Sequence, residues 1–103
     1  MKNKEQPRDD AQPLVREFKV SNTLGLHARP AALFVKTASE YDADVKVERD
    51  GSVVSGKSIM GLMTLQAEHG SVLRVTAQGR DAENVLDSLE RLFHEQFSES
   101  YQS

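Results

Sequence analysis

A two-layer α+β sandwich, with one antiparallel sheet and all helices on a single face, is the architecture this chain predicts. The hydrophobic period alternates between strand-like and helix-like in the order β-α-β-β-α-β-α. Each strand-like run is apolar on one face only, which suits an antiparallel sheet covered on one side and solvated on the other. Asp50-Gly51, between two such runs, supplies the positive φ angles of a tight hairpin. The pattern leaves the strand order open, because ferredoxin-like folds share the first six elements.

The first strand is read from "LVREFKVS", where Phe18 and Val20 face one way and Glu17 and Lys19 the other. From Ala31 the spacing of Phe34, Val35 and Ala38 gives an amphipathic helix to about Tyr41. "ADVKVERDGSVVS" gives the hairpin. "KSIMGLMTLQ" is a short helix with Ser58 as N-cap and Gly70 as its expected stop. "SVLRVTAQG" alternates again through Leu73, Val75 and Ala77. Asp81 is expected to cap a longer helix whose stripe is Ala82, Val85, Leu86, Leu89, Leu92 and Phe93, with Glu83 near the positive end of its dipole.

The 103 residues, at a formal net charge of −3, suit one small domain with a modest core. The absence of cysteine removes disulfides, thiolate metal sites and thiol redox chemistry. Net acidity argues against nucleic acid as a partner. No run approaches the roughly 18 apolar residues of a membrane span, and the charged start lacks the apolar core of a secretory signal, so a cytoplasmic protein without membrane insertion is expected. Residues 1–13, with Pro7 and Pro13, are read as a disordered N-terminal extension, 14–97 as the domain, and 98–103 as a flexible tail.

The chemistry concentrates in "LGLHARPAA", Leu24 to Ala32. His27 immediately precedes a helix, so the unsatisfied N–H groups of Ala28, Arg29 and the next turn form an anion site beside its imidazole. Pro30 is tolerated there, since an N–H in the first turn lacks a helical partner anyway. Gly25 allows a close turn before the histidine, and the Arg29 guanidinium can grip phosphate oxygens. A nucleophilic imidazole beside preformed oxyanion donors meets the needs of phosphoryl transfer, which relies on positioning and charge stabilisation. The alternative is a histidine that only caps a helix.

"GLHARPAALFVKTASEYDADV", "GKSIMGLMTL" and "AEHGSVLRVTAQGRDAENVLDSL" resemble the HPr family of the phosphoenolpyruvate-dependent phosphotransferase system, over about Val15 to Phe93. The resemblance implies an open-faced β-sandwich, a four-stranded antiparallel sheet with three helices on one face. It implies that His27 accepts a phosphoryl group on Nδ1 from enzyme I and passes it to an enzyme IIA domain, assisted by Arg29, with no cofactor and no metal. Such a chain is a phosphoryl-transfer intermediate rather than an independent enzyme. One departure concerns Leu24: sugar-system members commonly carry a small polar residue there, and "LGLHARPA" is similar to the nitrogen-related branch.

Ser58 in "KSIMG" is a sound N-cap, and the resemblance adds a regulatory role, phosphorylation by HPr kinase/phosphorylase. The added charge would repel an acidic enzyme I face and create a contact for a transcription regulator with basic residues. The same helix has more apolar residues than it can bury on one side. Leu62 and Leu65 suit the core, whereas Ile59, Met60 and Met63 match the family's exposed docking patch. A monomer is expected, because transient partners account for that patch. His69, at an expected helix end, and His94, in the last turn of the final helix, are read as structural or solvent-facing. A regulation-only, nitrogen-related module is the alternative function. A ferredoxin-like nucleic-acid binder is disfavoured, because "RVTAQ" and "VKVE" offer no aromatic platform for bases.

Overall fold

Asp50 and Gly51 adopt φ angles of 51° and 90°, the paired left-handed residues of a two-residue hairpin loop. Around them the computed structural model, which describes residues 12–95, joins strand β2 (Asp44–Arg49) to β3 (Ser52–Ser55) with Arg49 opposite Ser52. The remaining elements are β1 (Leu14–Lys19), α1 (Ala28–Ser39), α2 (Ile59–Thr64), β4 (Val72–Gln78) and α3 (Ala82–Glu95). The element order agrees with the periodicity. Most of the extension read over 1–13, and the whole of the tail read over 98–103, lie outside the described residues, as do the last residues of the domain read over 14–97.

The sheet has the order β1-β4-β2-β3, antiparallel throughout. This settles the strand order that periodicity leaves open. Phe18, Val45, Val47, Leu73, Val75 and Ala77 point into the core, where they meet Phe34 of α1, Leu62 of α2 and Leu86 and Leu89 of α3. Phe18 stacks on Phe93 at 4.9 Å between ring centroids, and Phe34 meets Phe93 edge-on at 6.3 Å. Each such pair adds about 1 kcal/mol beyond its burial. On the open face Glu17, Arg74 and Glu48 lie in one cross-strand row of alternating charge. Val15, Val53 and Val72 are its exposed apolar members.

Edge strand β1 is fastened to α3 by Arg16, whose guanidinium lies 2.8 Å from both Asp87 and Glu90. Burial opposes the charge of Arg16, but hydrogen bonding and attraction from Asp87, reinforced by Glu90, outweigh it and raise its pKa above the ordinary value.

Two local expectations are corrected, and a third is extended. Helix α2 ends at Thr64, not near Gly70, because Gln66 turns left-handed at φ 53° and Leu65 and Ala67 then drop into the core. The Arg49 guanidinium donates to the carbonyl of Leu65 at 2.9 Å, supplying a partner at the helix end. Gly70, at φ 91°, instead turns the chain into β4, so His69 lies in a turn rather than at a helix terminus. At the start of α3 the Asp81 carboxylate accepts the N–H of Asp42 at 2.8 Å, while the Asp81 N–H donates to the Asp42 carbonyl at 3.2 Å. Asp81 stands at the N-cap position as expected, its carbonyl accepting Val85 N–H at 2.9 Å, and its side chain also ties two loops together.

Candidate functional site

The chain between β1 and α1 is laid against the segment that follows α2. Val20 N–H donates to Ser71 O at 2.8 Å, Gly70 N–H to Val20 O at 2.7 Å, and Leu26 N–H to Ala67 O at 2.8 Å. Within this loop Gly25 N–H closes a four-residue turn onto Asn22 O at 3.2 Å, and His27 N–H donates back to Gly25 O at 3.0 Å. Gly25 has φ 76°, and a Cβ built on it would stand 2.5 Å from the Ala67 carbonyl oxygen, so only glycine fits.

These bonds set His27 at the N-cap of α1, with extended backbone (φ −86°, ψ −166°). Its carbonyl accepts Ala31 N–H at 3.0 Å, the first helical bond, but its side chain makes no capping hydrogen bond. The imidazole is therefore half-buried at the terminus without the task that a cap-only histidine would perform. Ala28 and Arg29 occupy the first turn, both exposed. Pro30 is buried and contributes no donor, which leaves Ala28 and Arg29 as the backbone N–H groups ahead of the first helical bond. No acidic residue stands in that turn to neutralise it.

A surface cleft of about 350 Å³ brings together Leu24, Leu26, His27, Met63, Gln66, Ala67 and Glu68. Of the residues singled out in α2, only Met63 lines this cleft with His27. Ile59 and Met60 continue the exposed apolar surface away from it, Met60 at 73 % exposure, while Leu62 and Leu65 are buried. Ser58 caps α2, its hydroxyl oxygen accepting Gly61 N–H at 2.9 Å. Leu24, 68 % exposed, extends the apolar surface across the cleft from Met63. Sequence reasoning missed this contribution, although the apolar type of residue 24 was its visible signal. A second cleft of about 390 Å³, lined by β1 and α3 residues including Arg16, Phe93 and His94, contains none of these groups. Among the described residues no cluster of His, Asp or Glu could hold a metal ion, and no helix is long and apolar enough to cross a membrane.

The fold is thus an open-faced sandwich with a histidine at the mouth of its first helix and an apolar short helix beside it. A family model described as the PTS HPr component phosphorylation site matches residues 14–95. The chain belongs to that family, the HPr phosphocarriers of the phosphotransferase system.

Relatives and solved structures agree. The chain is similar to the phosphocarrier protein HPr of Treponema pallidum (strain Nichols), 43 % identical over 86 residues, which are 84 % of this chain and 98 % of that one. A crystal structure of HPr-C-His from Thermoanaerobacter tengcongensis superposes with a TM-score of 0.78 at 42 % identity, over 82 % of this chain and 94 % of that one. A crystal structure of Crh, the catabolite-repression protein of Bacillus subtilis, described as a swapped dimer, is similar at a TM-score of 0.63 and 41 % identity, over 79 % and 92 % of the two chains.

Proposed function

We propose that this chain carries a phosphoryl group on His27, taken from phospho-enzyme I and delivered to an enzyme IIA domain of the sugar phosphotransferase system. The observation that carries this reading is the imidazole of His27 at the N-terminus of the 12-residue helix α1 with no capping bond of its own. Nδ1 of the neutral ring attacks phosphorus as the bond from phosphorus to the donor breaks; the donor keeps that electron pair, and the ring keeps its Nε2 proton. The N–H groups of Ala28 and Arg29 and the Arg29 guanidinium stabilise the phosphoryl oxygens. Ile59, Met60 and Met63 dock the partner enzymes, as their exposure supports. The carrier acts as a cytoplasmic monomer and needs no nucleic acid.

Ser58 is the regulatory site of the same surface. A phosphate there stays beside the α2 terminus, where the charge is tolerated, and alters docking at the neighbouring methionines. HPr kinase/phosphorylase adds it, and a transcription regulator with basic residues reads it. Leu24 favours a second reading, a nitrogen-related or regulation-only module, because it replaces a polar side chain with an exposed apolar one at the mouth of the site.

Intact-mass analysis after incubation with phosphoenolpyruvate and enzyme I tests the main reading. One acid-labile phosphoryl group is expected in wild type and none in His27→Ala. An unmodified wild type with a competent enzyme I removes the relay and leaves regulation through Ser58.

A further inference from the structure

We propose that Asn22 is a positioning residue for His27, acting by locking the carbonyl of Gly25; the proposal rests on His27 as phosphoacceptor. Among the described residues Asn22 is the sole polar side chain in the buried set, at 1 % exposure. Its Nδ2 donates to Gly25 O at 2.7 Å. Its Oδ1 is buried and meets no protein donor among the described residues. A buried acceptor left unpaired costs stability, so an apolar side chain of similar size would fill this position at equal or lower cost. Stability therefore does not account for an amide at position 22, and what Nδ2 holds does.

That atom is a junction. Gly25 O accepts from Asn22 Nδ2 and also from His27 N–H at 3.0 Å, while Gly25 N–H returns to Asn22 O at 3.2 Å. Three hydrogen bonds thus tie residues 22, 25 and 27 into one unit, and the bond to His27 N–H fixes the backbone from which the imidazole projects. Gly25 is itself held by its positive φ and its close approach to Ala67 O. Leu24, inside the same turn, has no side-chain hydrogen-bonding atom and is 68 % exposed, so it cannot serve as the lock. The restraint comes from beneath the loop, leaving its outer surface free for apolar contact.

Asn22→Leu removes the donor and the unpaired acceptor together. Asn22→Asp keeps the shape but, when ionised, has no proton to donate. Single-turnover phosphorylation by phospho-enzyme I is expected to slow roughly ten- to a hundredfold at saturating donor in both variants, the scale of a mispositioned reacting group. The KM for the donor should stay unchanged, because the docking residues are untouched, and the Tm of Asn22→Leu should equal or exceed that of wild type. A folded Asn22→Leu with the wild-type rate, or a loss appearing wholly in KM, overturns the proposal. If the leucine variant does not fold, the aspartate variant decides alone on the same rate. If wild type itself takes no phosphoryl group on His27, the phosphocarrier reading fails, and hydrogen exchange decides the lock. Faster exchange of His27 N–H in a folded variant than in wild type supports it, and unchanged exchange overturns it.

Discussion

The backbone N–H of Leu26 donates to the carbonyl of Ala67 at 2.8 Å, directly beneath the position where a Cβ on Gly25 would fall. This bond joins the histidine loop to the segment leaving α2, so the proposed phosphoacceptor and the proposed docking helix share one rigid seat. Gly25→Ala is expected to destabilise the fold by about 1–3 kcal/mol through forced left-handed backbone alone. The clash with Ala67 O adds to that. Thermal unfolding should show the loss, and phosphorylation of His27 should fall further than stability does, because the strain lies two residues away.

Met60 and Met63 are exposed and outside the packed core. Replacing both with glutamate is expected to leave stability within about 0.5 kcal/mol per site. The KM for enzyme I should rise at least about tenfold, as for central contacts of an interface. Steady-state phosphorylation at varied enzyme I, together with a melting curve, checks both halves. A drop in Tm with unchanged KM would return the methionines to a packing role.

Ser58→Ala is expected to cost about 1 kcal/mol, the worth of an N-cap whose oxygen accepts Gly61 N–H. Ser58→Asp retains an acceptor at the cap and should melt close to wild type. Its added charge should weaken enzyme I docking, more at low salt than at high salt. Incubation with HPr kinase and ATP should modify wild type once and Ser58→Ala not at all.

Arg16→Met removes the clamp on β1. With two carboxylates at 2.8 Å but partly exposed, the expected loss is about 1 kcal/mol, visible in chemical denaturation. The folded-state pKa of Arg16 is raised, so its contribution is fully present below the unfolded value and fades only as pH climbs through the folded one, in strongly alkaline solution. The difference between wild type and Arg16→Met should therefore show no Arg16 titration across the neutral range.

Periodicity made the seven elements legible because each buries one face: Phe18, Val45, Val47, Leu73 and Val75 alternate inward, and Phe34, Leu86 and Leu89 recur at helical spacing. His27 was legible as an N-cap because Pro30 marks a first turn. Hidden were features fixed by tertiary contact. Gln66 carries no local signal for a left-handed backbone, so the end of α2 was misplaced toward Gly70. The position of Asp81 before the last helix is legible, but its bond to Asp42 N–H from the opposite loop is not. Asn22, between Ser21 and Thr23, looks like an ordinary loop residue, and only folding shows it beneath the loop rather than on it.

The sheet order also dictates a sequence of events during synthesis. β1 leaves the ribosome ahead of the other strands, yet its sole strand neighbour among the described residues is β4, at the far end of the domain. The β2–β3 hairpin and α1 can form from local contacts while β1 waits with no strand to pair with, and loop closure over nearly the whole domain must precede its docking. Completion of the sheet and assembly of the histidine loop are expected close together, because the Val20 and Leu26 bonds run to Ser71, Gly70 and Ala67, in the segment that leads into β4. The residues that seat the histidine loop leave the ribosome just ahead of β4, so the proposed phosphoacceptor is expected to take its place late, close to the step that closes the sheet.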